Sequence, residues 1–194
     1  MQTGDAVPVY YLPEDATWPV PCMLEPTADT ETVFDPAKMS PMLCHNGLPL
    51  NISLLARVKD SLVEQAVDGT DTHKLGPKYT VWAYPIRKAD LLSLKGLMER
   101  ICFPTWTWKR THEFVAFDFP QGSEKELTGK LYDATADPNR WSDIRVEMDF
   151  RCISRDDIVL INFHVTRVTA CAGQWTVVFR FTRLTRLVSG NKQK

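Results

Sequence analysis

The residues best equipped for chemistry are few and poorly spaced for it. The four histidines, His45, His73, His112 and His164, form no HxxxH or HExxH pair, and none of the five cysteines (Cys22, Cys44, Cys102, Cys152, Cys171) stands at CxxC spacing from another. Cys44 and His45 are adjacent, but a metal ion needs more donors than one such pair supplies. There is no GxSxG, GxxxxGKS or GxGxxG, so a nucleophile elbow and a glycine-rich phosphate cradle are both missing. One enzymatic arrangement is left, a cysteine nucleophile paired with His112 or His164, and it predicts a pocket holding one of those imidazoles beside a carboxylate. The reading is therefore no catalytic residue, no metal and no cofactor.

Binding chemistry is better represented. Trp106-Thr107-Trp108-Lys109-Arg110-Thr111-His112 interleaves aromatic rings with cations, a pattern that stacks on bases while neutralising phosphates. Exposed, the same cluster suits an anionic membrane surface; buried, it is a strand entrance with a packed tryptophan face. Arg180, Arg183 and Arg186 precede Lys192 and Lys194, so cations gather at the end of the chain, where phosphates would be met with strong salt dependence. Near the other end, Tyr10-Tyr11-Leu12-Pro13 and the peptide around Pro26 and Thr27 are short proline-bearing stretches of the kind that dock in partner grooves.

Charge is divided along the chain. The net charge of −1 conceals about −6 over residues 1–40, from seven acids against Lys38, and about +6 over residues 151–194. Such a split implies a basic face meeting an anionic partner, or an acidic arm meeting that basic face. No apolar run approaches the roughly 20 residues of a bilayer-spanning helix. The first residues, MQTGDAVPVYY, lack the cation and apolar stretch of a signal peptide, and an odd number of scattered cysteines reads as free thiols in a reducing compartment.

These residues need a scaffold. Residues 1–49 hold eight of the thirteen prolines, so residues 1–46 are expected to be an acidic, extended or disordered arm, whose Val9, Tyr10, Tyr11, Leu12, Trp18, Val20, Met23 and Leu24 read as a short linear motif or as a strap lying on the domain. Residues 47–190 then form one globular domain, and 191–194 a basic tail. Within the domain, Leu54, Leu55, Val58, Leu62 and Ala66 make an apolar stripe that predicts an amphipathic helix over 53–67 with Ser53 as its cap. Tyr79, Val81 and Ala83 alternate with Thr80, Trp82 and Tyr84 as in a strand that Pro85 stops. Asp90 opens a second helix through Leu91, Leu94, Leu97, Met98 and Ile101, and a strand follows at 113–119. Three C-terminal strands are predicted at 144–153, 158–169 and 174–188, joined as an antiparallel meander, with a bulge near Thr182 where the apolar phase shifts. The expected fold is α+β: an antiparallel sheet of about five strands packed with two amphipathic helices, plus the arm.

Taken together, Tyr79–Ile86, Asp90–Ile101, Trp106–His112 and Glu113–Phe119, behind a proline-bearing arm, give the layout of strand, amphipathic helix, basic-aromatic turn and apolar strand. In this layout the chain resembles the matrix proteins of rhabdoviruses. The arm has no PPxY or PTAP motif of the sort common in that family; Pro8-Val9-Tyr10-Tyr11 and Pro26-Thr27-Ala28-Asp29 come nearest. The resemblance implies a non-enzymatic structural protein that self-associates, condenses a nucleocapsid and links it to an anionic membrane at budding. It further implies other viral proteins and host sorting factors as partners, the latter through the arm. The protein would then sit at the cytoplasmic face of host membranes and in the virion interior, with the host nucleus as a further site. The competing expectation is a nucleic-acid-binding regulator, such as a viral silencing suppressor or an architectural factor, with Trp106, Trp108, Lys109 and Arg110 exposed.

Overall fold

The computed structural model describes residues 6–18, 42–46, 48–64, 78–101, 113–119, 130–140, 146–169 and 175–190. In chain order its elements are β1 (Val7–Pro8), β2 (Cys44–His45), β3 (Leu48–Pro49), β4 (Asn51–Glu64), β5 (Lys78–Pro85), helix α1 (Lys88–Ile101), β6 (Val115–Phe119), β7 (Leu131–Asp133), β8 (Ile158–Thr169) and β9 (Trp175–Val188). The chain is α+β, mostly sheet. Following the pairings from β4 through β5, β6, β9 and β8 leads back to β4, so five strands close into a barrel.

Strand β4 makes the closure possible. Its first half pairs antiparallel with β8 from Asn51 to Arg57, and its second half pairs antiparallel with β5 from Ala56 to Glu64. Ile52, Leu54, Ala56 and Val58 point inward and are fully buried. The register then slips between Val58 and Asp60, a bulge that bends the strand from one partner to the next. This corrects the helix expected over 53–67. Leu62 resembled a continuation of a 3.6-residue stripe only because the extra residue shifts the two-residue period by one; on the strand it is exposed. One helix, α1, is present among the described residues.

Two further expectations change. The segment 144–153 is not a strand where it is described. Glu147 makes an isolated bridge to Tyr132, Val146 is exposed, and Phe150–Cys152 is a 3-10 turn whose Arg151 N–H is accepted by Asp149 at 2.8 Å. The predicted three-strand meander is therefore a hairpin of β8 and β9, with 146–148 clasping β7 through two backbone bonds of 2.8 and 3.1 Å. The sheet is also mixed. Strand β9 runs parallel to β6 and β7, and β1 parallel to β4, because long connections separate these partners in the chain. The phase shift near Thr182 does appear, as a register slip opposite Asn162 and Phe163.

Aromatic rings fill the barrel. Phe117 lies 5.0 Å from Phe163 and 5.9 Å from Phe179 between ring centres, and Phe119 lies 5.2 Å from Phe181. Helix α1 buries Leu94, Leu97, Met98 and Ile101, and its first turn is fixed by Arg87, which donates to both oxygens of buried Asp90 at 2.8 and 3.0 Å. Parts of the proline-bearing N-terminus lie on the domain as a strap. Val9 and Leu43 are buried, Thr17 and Cys44 exchange backbone bonds of 2.9 Å, and Arg100 donates to the Glu14 carbonyl at 2.6 Å. The Trp18 indole N–H is accepted by the last helical carbonyl, that of Ile101, at 3.2 Å. The remainder of the arm, 19–41, lies outside the described residues.

Phe117→Ala is expected to cost about 3–5 kcal/mol, because the facing rings of Phe163 and Phe179 cannot collapse fully into the space it leaves. Leu55→Ala, on the outer face of β4, should cost less than about 1.5 kcal/mol. Urea unfolding of the two variants checks this, and equal losses would contradict the strand assignment.

Candidate nucleic-acid interface

With the inner faces of the barrel strands committed to the core, chemistry is confined to the outer faces. On β5 the outward residues are Thr80, Trp82 and Tyr84, and the alternation carries on to Ile86 just past the strand. Trp82 and Tyr84 are half-buried, and Ile86 is 45% exposed. Neighbouring rows in the sheet supply the cations. Arg57 is level with Tyr84 on β4 and exposed, while the bulge turns Lys59 so that its Nζ sits 3.6 Å from the centre of the Phe114 ring. Phe114 in turn meets Tyr84 edge-on, with centroids 6.1 Å apart and planes at 81°. The barrel thus carries a row of Trp82, Tyr84 and Ile86 edged by Arg57, Lys59, Arg87 and Lys88.

Of the acids on this surface, Asp118 and Asp90 have side-chain partners, while Asp60 is exposed. Asp60, level with Trp82, accepts the Ser61 N–H at 2.9 Å. Asp118 accepts the Thr80 hydroxyl at 2.8 Å and lies opposite Arg180 in the parallel β6–β9 register. Asp90 is buried under Arg87, whose guanidinium pKa is raised by that side-chain hydrogen bond, so Arg87 stays charged.

The residues expected from sequence are distributed differently. Trp106, Trp108, Lys109 and Arg110 lie outside the described residues, as do Pro26, Thr27, His73 and His112. Tyr10 and Tyr11 are exposed on the strap, and Leu12 is half-buried against the core. Arg180 is half-buried on the outside of β9, and Arg183 lies over the Tyr132 ring at 4.4 Å. Arg186 is held by several partners at once. It is committed to structure, paired with Asp133, donating to the Cys152 carbonyl at 2.8 Å and 3.7 Å from buried Asp157. Its place near the bulged end of β9 turns it toward the barrel end instead of the surface, which the spacing 180, 183, 186 conceals.

An enzymatic centre is not assembled from the described groups. The ring Nδ1 of His164 lies 3.0 Å from the Leu50 carbonyl, with no carboxylate contact among the described residues. His45 pairs with Asp15 at 3.0 Å across the strap, and burial pushes the thiol of neighbouring Cys44 up, away from a reactive thiolate. No group of three or more potential metal ligands occurs among the described residues. No helix among them is long and apolar enough to cross a membrane.

Sequence reasoning overlooked Arg57 and Lys59 by placing them on the polar side of a helix. The available signal was the alternation in β5, which sets Trp82 and Tyr84 on the face opposite the buried Tyr79, Val81 and Ala83. Compared with known proteins, the chain matches no family, no curated protein and no solved structure.

The Arg186 pair has a measurable consequence. Burial would raise the Asp133 pKa, but hydrogen bonds from Arg186 and Thr135 outweigh it and bring it from 3.8 down to about 2. A carboxylate lowered in the folded state stabilises above its unfolded pKa, and that contribution is lost as pH falls from about 4 through 2. The effect amounts to about 2 kcal/mol. Asp133→Asn should therefore lower stability at pH 7 and flatten the decline between pH 4 and 2, measured by urea midpoints at each pH; an unchanged acid slope would contradict it.

Proposed function

We propose that this protein is a non-enzymatic binder of single-stranded nucleic acid, acting through the outer face of β4, β5 and β6. The observation that carries the reading is the Trp82–Tyr84–Ile86 row with Arg57 and Lys59 alongside. Residues two apart on a strand stand about 6.8 Å apart. That is roughly twice the 3.4 Å rise per nucleotide of a stacked strand, so successive rings suit bases that have been pulled out of their stack. Bases offer their faces only when unpaired, which favours single strands over duplex. Phe114 serves as a positioning residue, holding the Lys59 ammonium over the sheet where a phosphate would pass.

The architecture is compatible with this use. Five-stranded Greek-key barrels of the oligonucleotide-binding type present the face of their second and third strands to ligand, and β5 and β6 hold those positions in barrel order. A shared architecture does not assign a function, so the residues have to carry it. The basic-aromatic run Trp106–His112 directly precedes Glu113 and Phe114 in the sequence.

A second reading, the matrix-like assembly protein, draws support from a different surface. Tyr11, Leu48 and Leu92 are 71%, 67% and 57% exposed, apolar surface that self-association would cover. Under that reading the chain self-associates through the strap side, meets a nucleocapsid and an anionic membrane, and works at host membranes. Removing the arm would be a poor test, because Val9 and Leu43 belong to the core. Tyr11→Ser combined with Leu92→Ser should dissociate an assembly while leaving the fold intact. Identical sedimentation of this variant and the native chain at all concentrations would dismiss it.

For the leading reading, fluorescence anisotropy with labelled oligo(dT) and oligo(U) is the test. Trp82→Ala and Tyr84→Ala should each weaken binding by about 1–3 kcal/mol. Lys59→Gln should reduce the slope of log affinity against log salt by about 0.7. Native protein that binds neither oligomer, or binds duplex equally well, would rule the reading out.

A further inference from the structure

The strap does not run past the aromatic row; it joins it. Strand β1 pairs with β4 in parallel, Val7 with Ile52 and Pro8 with Ser53, on the flank where β5 has already left. Past Pro8 the strap leaves the extended register for a 3-10 turn, Val9–Tyr11, while on the β4 side the Leu55 carbonyl accepts the Ile86 N–H at 3.1 Å. The two segments do converge: the Arg87 guanidinium lies 4.2 Å from the centre of the Tyr10 ring while its nitrogens hold Asp90. Tyr11 follows, its ring centre 4.7 Å from that of Tyr10 and its plane tilted by 51°. Tyr10 is 46% exposed and Tyr11 71% exposed, and Tyr10 lines a cleft between the strap and helix α1 with Ser93, Gly96, Leu97 and Arg100.

Resting on the nucleic-acid reading above, we infer that the strap supplies the far end of the binding track, with Tyr10 and Tyr11 stacking on bases that lie beyond Ile86. Three features support this. Each ring is fixed by a neighbour: a guanidinium sandwiched between a carboxylate and Tyr10 keeps that ring from rotating away, and Tyr10 backs Tyr11. Lys88 stands exposed one residue beyond Arg87, so a cation accompanies the rings here as Arg57 and Lys59 do further along. The strap is also tied down on both sides of the pair, by Val9 in the core and by Arg100 on the Glu14 carbonyl at 2.6 Å. The track then takes one strand of nucleic acid across two parts of the chain distant in sequence, and only oligomers long enough to pass Ile86 reach the tyrosines.

That length dependence is the test. The full chain is measured by anisotropy with oligo(dT) and oligo(U) of about 4 and about 16 nucleotides, the range of site sizes for barrels of this kind. The double variant Tyr10→Ala, Tyr11→Ala should bind the long oligomers about tenfold more weakly and the short ones as the native chain does. Tyr10→Phe with Tyr11→Phe should bind both lengths like the native chain, since stacking needs the ring and not the hydroxyl. Loss of equal size at both lengths, or no loss at either, overturns the inference while leaving the barrel face as a binding site. Native protein that binds no oligomer of either length removes the nucleic-acid reading itself, and this extension with it.

Discussion

The structure depends on what happens to the backbone of Val58. A strand shared by two partners must bend, and a bend leaves a peptide group that neither neighbour can reach. Here the turn before β8 satisfies it. Val58 N–H is accepted by the Asp157 carbonyl at 2.8 Å, and the Val58 carbonyl accepts the Asp156 N–H at 2.9 Å. The Asp157 side chain is fully buried and accepts the backbone N–H of Ser154 at 2.9 Å and of Gly190 at 2.8 Å. Gly190 has to be glycine, because a Cβ there would stand 2.5 Å from the Arg155 carbonyl. One buried carboxylate thereby locks the bend of β4, the approach to β8 and the end of β9. These are the three places where the ring of strands would otherwise open.

That constraint also explains which parts of the fold were legible. Strands that carry no extra residue of their own read correctly. Val115, Phe117 and Phe119 on β6, and Val159, Ile161, Phe163 and Val165 on β8, are the buried alternates that a two-residue period demands. Failure came where a bulge shifted the period. In β4, Val58 and Leu62 are four apart, as on a helix, yet one is buried and the other exposed. A one-residue insertion on a strand and a turn of helix give the same local pattern, and only the pairing with β5 and β8 separates them. The opposite error arose at 146–152, where alternation was real but the edge it meets is the three-residue β7, long enough for two backbone bonds and one bridge and too short to draw out a strand. Closure itself is a long-range property, and no short window of sequence contains it.

The candidate site followed the same logic. Trp82 and Tyr84 were recognisable as the non-core face of a strand, but that face had no significance until Arg57, Lys59 and Phe114 were brought beside it by pairings across the sheet. Conversely, Arg183 and Arg186 promised cationic surface by composition and became packing. A guanidinium over Tyr132 and another between Asp133 and Asp157 close the lower end of the barrel, where charge is used for structure. Charge counted along the chain therefore misjudged which cations are available, because burial and pairing decide that and neither is a property of composition.

A closed barrel of five strands leaves little room for anything inside it. Its inner positions carry Phe117, Phe163 and Phe181, all fully buried, and rings of that size fill the interior. Open surface is then found on the outside, as rows of side chains at strand spacing and as segments that lie across the sheet's margins. The strap at residues 6–18 is such a segment, and it costs the fold nothing extra to carry exposed tyrosines, since Val9 and Trp18 already hold it in place. An aromatic and basic surface of this form sets its groups out along a line at strand spacing, where the inner face gathers its own into a packed centre.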